Sequence, residues 1–285
     1  MKLTLGFSPC PNDSFIFDAL VNGFVDSGVY EFEPVIEDVQ TLNELAIDGK
    51  IDVTKISCAT LPLILENYLA LRSGGALGKG TGPLLISKIP VPESAIKFTT
   101  IAIPGKNTTA HVLFALNYPD AANKVYKVYN EIEDFVLGSA SDLDNLQEVK
   151  TGVIIHENRF TYESKGLYKL SDLGAYWENS TGFPIPLGGI VIKRNLGNKV
   201  ASEINELIKE SVLYSMQRLP EISGFVREHA TEMEESVMRS HIDLYVNDYT
   251  VDIGNSGRKA IEKFIQVHSE INKIPLPKVE TFVEL

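Results

Sequence analysis

Short apolar strands alternate with amphipathic helices through residues 1–90, and this alternation limits the possible folds more than any other feature. Strands are predicted at 3–7, 30–36, 51–56 and 84–89. Helices are predicted to begin at 12 or 13, at a capping box over 41–44, and at 61, the last running to 71. Because strands joined by single helices form right-handed crossovers, we expect an α/β fold with a parallel sheet and functional loops at the strands' carboxyl ends.

A second α/β unit is predicted after Pro90 and Pro92, since two prolines within three residues suggest a domain crossing. Its strands are expected at 99–103, 125–129 and 152–156, a further strand at 187–192 returns to the first unit, and the chain from 198 onward is mainly helical. We therefore predict a large discontinuous domain, residues 1–92 plus 188–285, and a small inserted domain, residues 93–187. Two crossings form a hinge, so the ligand is expected in an interlobe cleft.

The charge balance narrows the classes of partner. Lys and Arg number 26 against 38 Asp and Glu, which gives a formal charge of −12. An acidic chain without a basic run is poorly suited to nucleic acid or an anionic membrane. No apolar run reaches the roughly 18 residues of a membrane span, and the N-terminus lacks a secretory signal. We expect a cytoplasmic protein that acts on a small molecule, with Cys10 and Cys58 reduced.

The glycine-rich segment 74–82 lacks the spacing of a phosphate-binding loop, because Ser73 and Gly80 replace the Gly and the Ser or Thr that the motif requires. It is predicted to be a flexible connection or a lid. The loop 8–15 carries two prolines around a cysteine, and Asn12 or Asp13 is expected to cap the following helix and to line the cleft.

Lys55 lies near the end of a strand that is expected to be covered. A buried ammonium costs several kcal/mol unless it meets an anion or reaches water. Lys55, the backbone of Ile56 and Ser57 therefore form a candidate binding segment for an anionic or hydroxylated ligand. A salt bridge to a neighbouring carboxylate explains the lysine equally well.

Thr109 and Ala110 open a helix that follows a strand, so their backbone N–H groups point to a possible oxygen-binding corner. Ordinary capping by Thr108 accounts for the same residues. His156 ends the predicted strand 152–156, where a parallel sheet presents reactive groups, and an imidazole exchanges protons near neutral pH. It is either a general base or a structural histidine, and none of the five histidines shows metal-ligand spacing.

Five segments together resemble the 1,4-dihydroxy-6-naphthoate synthases of the futalosine route to menaquinone. They are residues 8–13 with Phe15, 52–57, 107–110, 156–162 and 186–190. The first and the fourth are the specific ones. Ser14 and Asn158 stand where the family pattern has Thr and Gly, and neither change removes a chemical group that the reaction requires.

The resemblance implies a two-lobe fold like that of type II periplasmic binding proteins. It implies a lyase that forms 1,4-dihydroxy-6-naphthoate and dihydroxyacetone from cyclic dehypoxanthine futalosine, without metal or organic cofactor. His156 matches the proton acceptor, and 55–57 and 109–110 match the substrate-binding segments. Thr108 and Arg159 are expected to line the cleft. The alternative is a cytosolic solute-binding or ligand-sensing protein of the same fold, which binds without turnover.

Overall fold

The computed structural model describes residues 1–230 and 234–284. The strands are β1 Lys2–Phe7, β2 Glu31–Ile36, β3 Val53–Ser57, β4 Tyr68–Ala70, β5 Ala76–Gly78, β6 Leu84–Ser87, β7 Thr100–Ile103, β8 Lys124–Tyr126, β9 Lys150–Ile154, β10 Tyr168–Asp172 and β11 Ile185–Lys193. The helices are α1 Pro11–Val21, α2 Val39–Ile47, α3 Leu61–Ile64, α4 Thr109–Asn117, α5 Ile132–Leu137, α6 Asn158–Thr161, α7 Leu173–Thr181, α8 Asn198–Gln217, α9 Gly224–His229, α10 Glu235–Tyr245, α11 Asp248–Val251 and α12 Gly254–Asn272. Over these ranges, none of the helices has the length and apolarity needed to cross a membrane.

The chain divides into two compact units. The first unit comprises Met1–Gly78 and Pro186–Leu285, and the second comprises Lys79–Ile185. The first crossing therefore lies before β6, whereas the two prolines placed it after residue 92. The reason is that β6 pairs with β9 and β10, both of which belong to the second unit.

The sheet of the first unit has the order β2-β1-β3-β11-β4, with β5 paired to β11. β1 is parallel to β2 and to β3, as the strand–helix alternation predicts, but β11 is antiparallel to β3 and β4, so the sheet is mixed. α1 and α8 pack against it, and the Ser211 Oγ on α8 donates a hydrogen bond to the Ile16 carbonyl at 2.6 Å.

Two helix predictions in the first unit are wrong. The chain over 61–71 forms only the short α3 and then the strand β4, because Tyr68 to Ala70 pair with β11 and the Tyr68 hydroxyl donates to the Ile51 carbonyl at 2.6 Å. α2 begins before the predicted 41–44 capping box, since the Asp38 side chain accepts from the Gln40 and Thr41 N–H groups. A residue with a short acidic side chain just upstream is the better cap.

The sheet of the second unit has the order β10-β6-β9-β7-β8. β7 is parallel to β8 and β9, whereas β6 is antiparallel to β9 and β10. α5 packs on β9 at Gly152, where an added Cβ would lie 2.5 Å from the Ile132 Cγ2. This close approach fixes β9, the strand that leads to His156.

Candidate functional site

The loop between β1 and α1 is organised around the Asp13 carboxylate. Asp13 Oδ2 accepts from the Ser8 hydroxyl at 2.7 Å, and Oδ1 accepts from the Asn12 side-chain amide at 2.9 Å. The N-cap residue is Cys10 with Pro11 as the first helical residue, so the prediction that Asn12 or Asp13 caps α1 is wrong. Proline tolerates that position because it has no N–H to satisfy, and Asp13 is thereby directed at the preceding loop.

Lys55 lies opposite this carboxylate. Its Nζ is 3.3 Å from Asp13 Oδ1 and donates to the Gly74 carbonyl at 2.6 Å. Both side chains are buried, with 6% and 7% of their surfaces exposed. Of the two explanations that the sequence leaves open for Lys55, the structure contains the salt bridge. The pair gives each buried charge an opposite charge and hydrogen bonds, without which its burial would be costly.

The remainder of the segment over 55–57 is held by its neighbours. The Ser57 N–H donates to the Asn43 side-chain oxygen at 2.9 Å, and Ser57 itself is buried. The next residue, Cys58, is fully buried, and burial raises the pKa of its thiol to about 12. A thiol with that pKa stays protonated at neutral pH, so Cys58 is not a nucleophile.

Thr108 caps α4, as the simpler of the two explanations for this corner predicts. Its hydroxyl donates to the Gly105 carbonyl at 2.9 Å and accepts from the His111 N–H at 3.3 Å. Contact of Thr109 and Ala110 with a ligand stays a prediction. Burial lowers the pKa of His111, although a hydrogen bond with the Lys106 carbonyl opposes this shift.

His156 follows β9 by two residues and has a left-handed backbone, with φ of +55°. This conformation is uncommon for residues other than glycine and indicates that the surrounding chain holds it. The imidazole is half-buried and meets the Tyr129 ring edge-on, with 5.0 Å between ring centroids. The His156 carbonyl accepts from the Arg159 N–H at 3.3 Å. The strand end thus presents an oriented imidazole.

Arg159 connects this turn to the glycine-rich segment. Its Nη2 donates to the Gly80 carbonyl at 3.0 Å, and the Gly80 N–H donates to Glu178 Oε1 at 2.7 Å. Gly80 has φ of +70°, which favours glycine. The end of the segment is therefore held at Gly80 by contacts within the second unit, and residues 76–78 form β5 of the first unit. This differs from the predicted flexible connection or lid.

The predicted site residues fall into two groups. Asn12, Asp13 and the segment 55–57 belong to the first unit, and the Asp13–Lys55 pair joins them. The second unit holds Thr108 to Ala110, His156 and Arg159. Sequence reasoning missed Tyr129 beside His156, because an aromatic residue at the end of a predicted strand carries no distinguishing signal.

The chain is similar to a known family over most of its length. Residues 3–270 match a family model described as menaquinone biosynthesis. A relative from Thermus thermophilus named 1,4-dihydroxy-6-naphtoate synthase is 41% identical over 277 residues, 97% of each chain. A relative of the same name from Streptomyces coelicolor is 38% identical over 259 residues, 91% of this chain and 90% of the relative.

Solved structures bear on the fold. A protein from Archaeoglobus fulgidus superposes with a TM-score of 0.85 at 30% identity, covering 96% of this chain and 98% of that one. The periplasmic aliphatic sulphonate binding protein of Escherichia coli superposes with a TM-score of 0.64 at 11% identity, covering 98% and 90%. The second likeness shows fold alone. The prediction of a periplasmic-binding-protein-like α/β fold is confirmed.

Proposed function

This chain belongs to the menaquinone biosynthesis family, and on that premise we propose that it is a carbon–carbon lyase. The substrate is cyclic dehypoxanthine futalosine, and the products are 1,4-dihydroxy-6-naphthoate and dihydroxyacetone. Support comes from the two relatives named as the synthase of this naphthoate, which match nearly the whole chain. The lyase class and the substrate are carried over from the family resemblance of the motifs.

His156 is the proposed general base, and its position is the observation that carries the proposal. It lies at the carboxyl end of β9, half-buried, with its backbone held in a left-handed conformation. A base must be held in one orientation to remove a proton efficiently. Removing a proton from the sugar-derived part of the substrate allows the carbon–carbon bond to break, and formation of the aromatic naphthalene drives the reaction.

The remaining proposed roles concern binding. The segment 55–57 and the pair Thr109–Ala110 each contact the substrate in this proposal. For Lys55, the ion pair with Asp13 favours an indirect role, in which it holds the loop that carries Asn12 and Asp13. Ser57 and the Ile56 backbone are the proposed direct contacts on that side.

The deciding experiment is product formation by chelator-treated protein supplied with cyclic dehypoxanthine futalosine. The expected result is accumulation of 1,4-dihydroxy-6-naphthoate over many turnovers, followed by chromatography and mass spectrometry. Since the proposed mechanism uses no metal, removing metal should leave the rate unchanged.

The competing function is ligand binding without turnover, which the fold shared with a sulphonate-binding protein favours. Stoichiometric binding of the substrate with no product would support it against the lyase. If the protein neither binds the substrate nor forms product, both functions are contradicted.

A further inference from the structure

The two terminal nitrogens of the Arg159 guanidinium differ in their hydrogen bonding. Nη2 donates to the Gly80 carbonyl at 3.0 Å, but Nη1 is buried and has no hydrogen-bond partner. Among residues 1–230 and 234–284, no carboxylate oxygen lies within 4.0 Å of its nitrogens. A buried guanidinium nitrogen without an acceptor is unfavourable, because its desolvation is not compensated.

A second unsatisfied group lies next to this contact. Thr81 immediately follows Gly80 and is only 3% exposed, yet its Oγ1 is buried without a hydrogen-bond partner. The backbone here is fixed on both sides of Thr81. Glu178 accepts from the Gly80 N–H at 2.7 Å, and Gly82 lies against the Gly174 backbone, where an added Cβ would be 2.3 Å from Cα. Two polar groups are therefore held in place beside Gly80 with unused hydrogen-bonding capacity.

The chemistry of the two groups selects a ligand. A guanidinium N–H and a hydroxyl suit an anion with oxygen acceptors, and arginine is particularly suited to planar carboxylates. The relatives are named for a naphthoate product, which carries a carboxylate on its aromatic ring. Lys55, the other cation considered from the sequence, is buried and already has Asp13 as its counter-charge. Arg159 has none among the described residues.

We propose that Arg159 Nη1 and Thr81 Oγ1 bind the aromatic carboxylate of the substrate. The assignment rests on the proposed function and names the part of the substrate that the second unit recognises. Since this carboxylate takes no part in bond cleavage, its contacts stabilise the ground state and the transition state equally. Such contacts lower KM and leave kcat almost unchanged.

The test is steady-state kinetics of Arg159→Gln and Thr81→Val with cyclic dehypoxanthine futalosine and with its carboxamide analogue. For the carboxylate substrate, we expect KM to rise about 10- to 100-fold in Arg159→Gln and about 3- to 10-fold in Thr81→Val, with kcat within about threefold. For the carboxamide, the variants should differ from the wild type by less than about threefold. Arg227→Gln, which removes an exposed arginine paired with Glu235, is the matched control.

Several outcomes overturn the assignment. They are an unchanged KM in both variants, a fall in kcat at constant KM, or an equal loss for the carboxylate and the carboxamide. A fall in kcat alone would make Arg159 a positioning residue for the His156 turn. If Arg159→Gln does not fold, Thr81→Val alone gives the comparison, with the smaller rise in KM. Turnover by the wild type with unaffected variants contradicts only the carboxylate site, whereas no turnover by the wild type contradicts the proposed function as well.

Discussion

Lys55 in the first unit and Arg159 in the second are both cations that the sequence places near ligand-binding loops, but the structure balances their charges differently. Lys55 has a buried carboxylate at 3.3 Å and a backbone carbonyl at 2.6 Å. Arg159 has the Gly80 carbonyl for Nη2 and no partner for the buried Nη1. A buried cation with an internal counter-charge is needed by the fold, because its removal leaves the partner charge uncompensated, whereas a cation without a counter-charge is a candidate for binding an anionic ligand.

The two units also differ in how their reactive-looking groups are held. In the first unit, Cys58 is buried with its pKa raised to about 12 and is chemically inert. In the second unit, His156 is half-buried on a left-handed turn. In the proposed mechanism the Asp13–Lys55 pair supports its loop and the turn after β9 carries the chemistry, and each proposed role has a separate experimental signature.

His156→Asn should produce the largest effect. Asparagine keeps a polar side chain and tolerates positive φ, so the turn should be retained while the proton acceptor is lost. We expect kcat to fall about 10²- to 10⁴-fold, with substrate binding within about tenfold of the wild type. Single-turnover rates and calorimetric titration measure the two quantities. Unimpaired turnover in this variant would remove His156 from the mechanism.

Lys55→Met should affect stability rather than chemistry. The variant leaves Asp13 buried without its counter-charge, which costs about 3–5 kcal/mol in the free energy of unfolding. Denaturant titration of the purified variant measures this loss. The Lys55→Met/Asp13→Asn double variant should recover part of it, because no charge then stays unpaired.

Lys50→Met is the control for this prediction, since Lys50 pairs with Asp48 on the surface and should cost less than about 1 kcal/mol. A Lys55→Met protein of normal stability but greatly raised KM would instead make Lys55 a direct ligand of the substrate. In that case Lys55 and Arg159 would both bind the substrate, and the proposed difference between them would be wrong.

Local signals in the sequence predicted much of the fold. Apolar periodicity located β1, β3, β7 and β9, and the Thr108 cap located α4. The strand β4 was missed because its partner, β11, lies more than a hundred residues later in the chain. With Pro62 and a leucine-rich composition, 61–71 has no local feature that distinguishes a helix from a turn followed by a buried strand.

The site shows the same division between local and distant information. The candidate residues were identified from their positions after strands and from the family resemblance. Whether Lys55 contacts a ligand or forms a salt bridge depends on Asp13, which lies far earlier in the chain. Sequence spacing does not show that the two side chains meet. The sequence does not mark Thr81 as a site residue, because an unpaired hydroxyl is visible only in three dimensions.

Gly152→Ala should lower the free energy of unfolding by an intermediate amount, and it tests the packing of α5 on β9 without changing a proposed site residue. The added Cβ would lie 2.5 Å from Ile132 Cγ2 and 2.8 Å from Val136 Cγ2, so α5 must move away from β9. We expect a loss of about 1–3 kcal/mol in the free energy of unfolding. Gly189→Ala is the control, because nothing lies within 4 Å of the added atom. Equal stabilities of the two variants would show that α5 does not pack tightly on β9.

The smallest expected effect is a pH dependence from His111, which is half-buried in the second unit close to Thr109 and Ala110. Burial lowers the pKa of its imidazole below the unfolded value of 6.5. Between these two pKa values, the unfolded chain binds a proton that the folded chain does not. The free energy of unfolding is therefore greatest above pH 6.5 and falls as the pH drops through the folded pKa. His111→Gln should flatten this part of the stability profile, as measured by denaturant titration between pH 7.5 and about 5. If the wild type and the variant lose stability in parallel as the pH falls, another group is responsible. The result would then contradict a lowered pKa for His111 on α4.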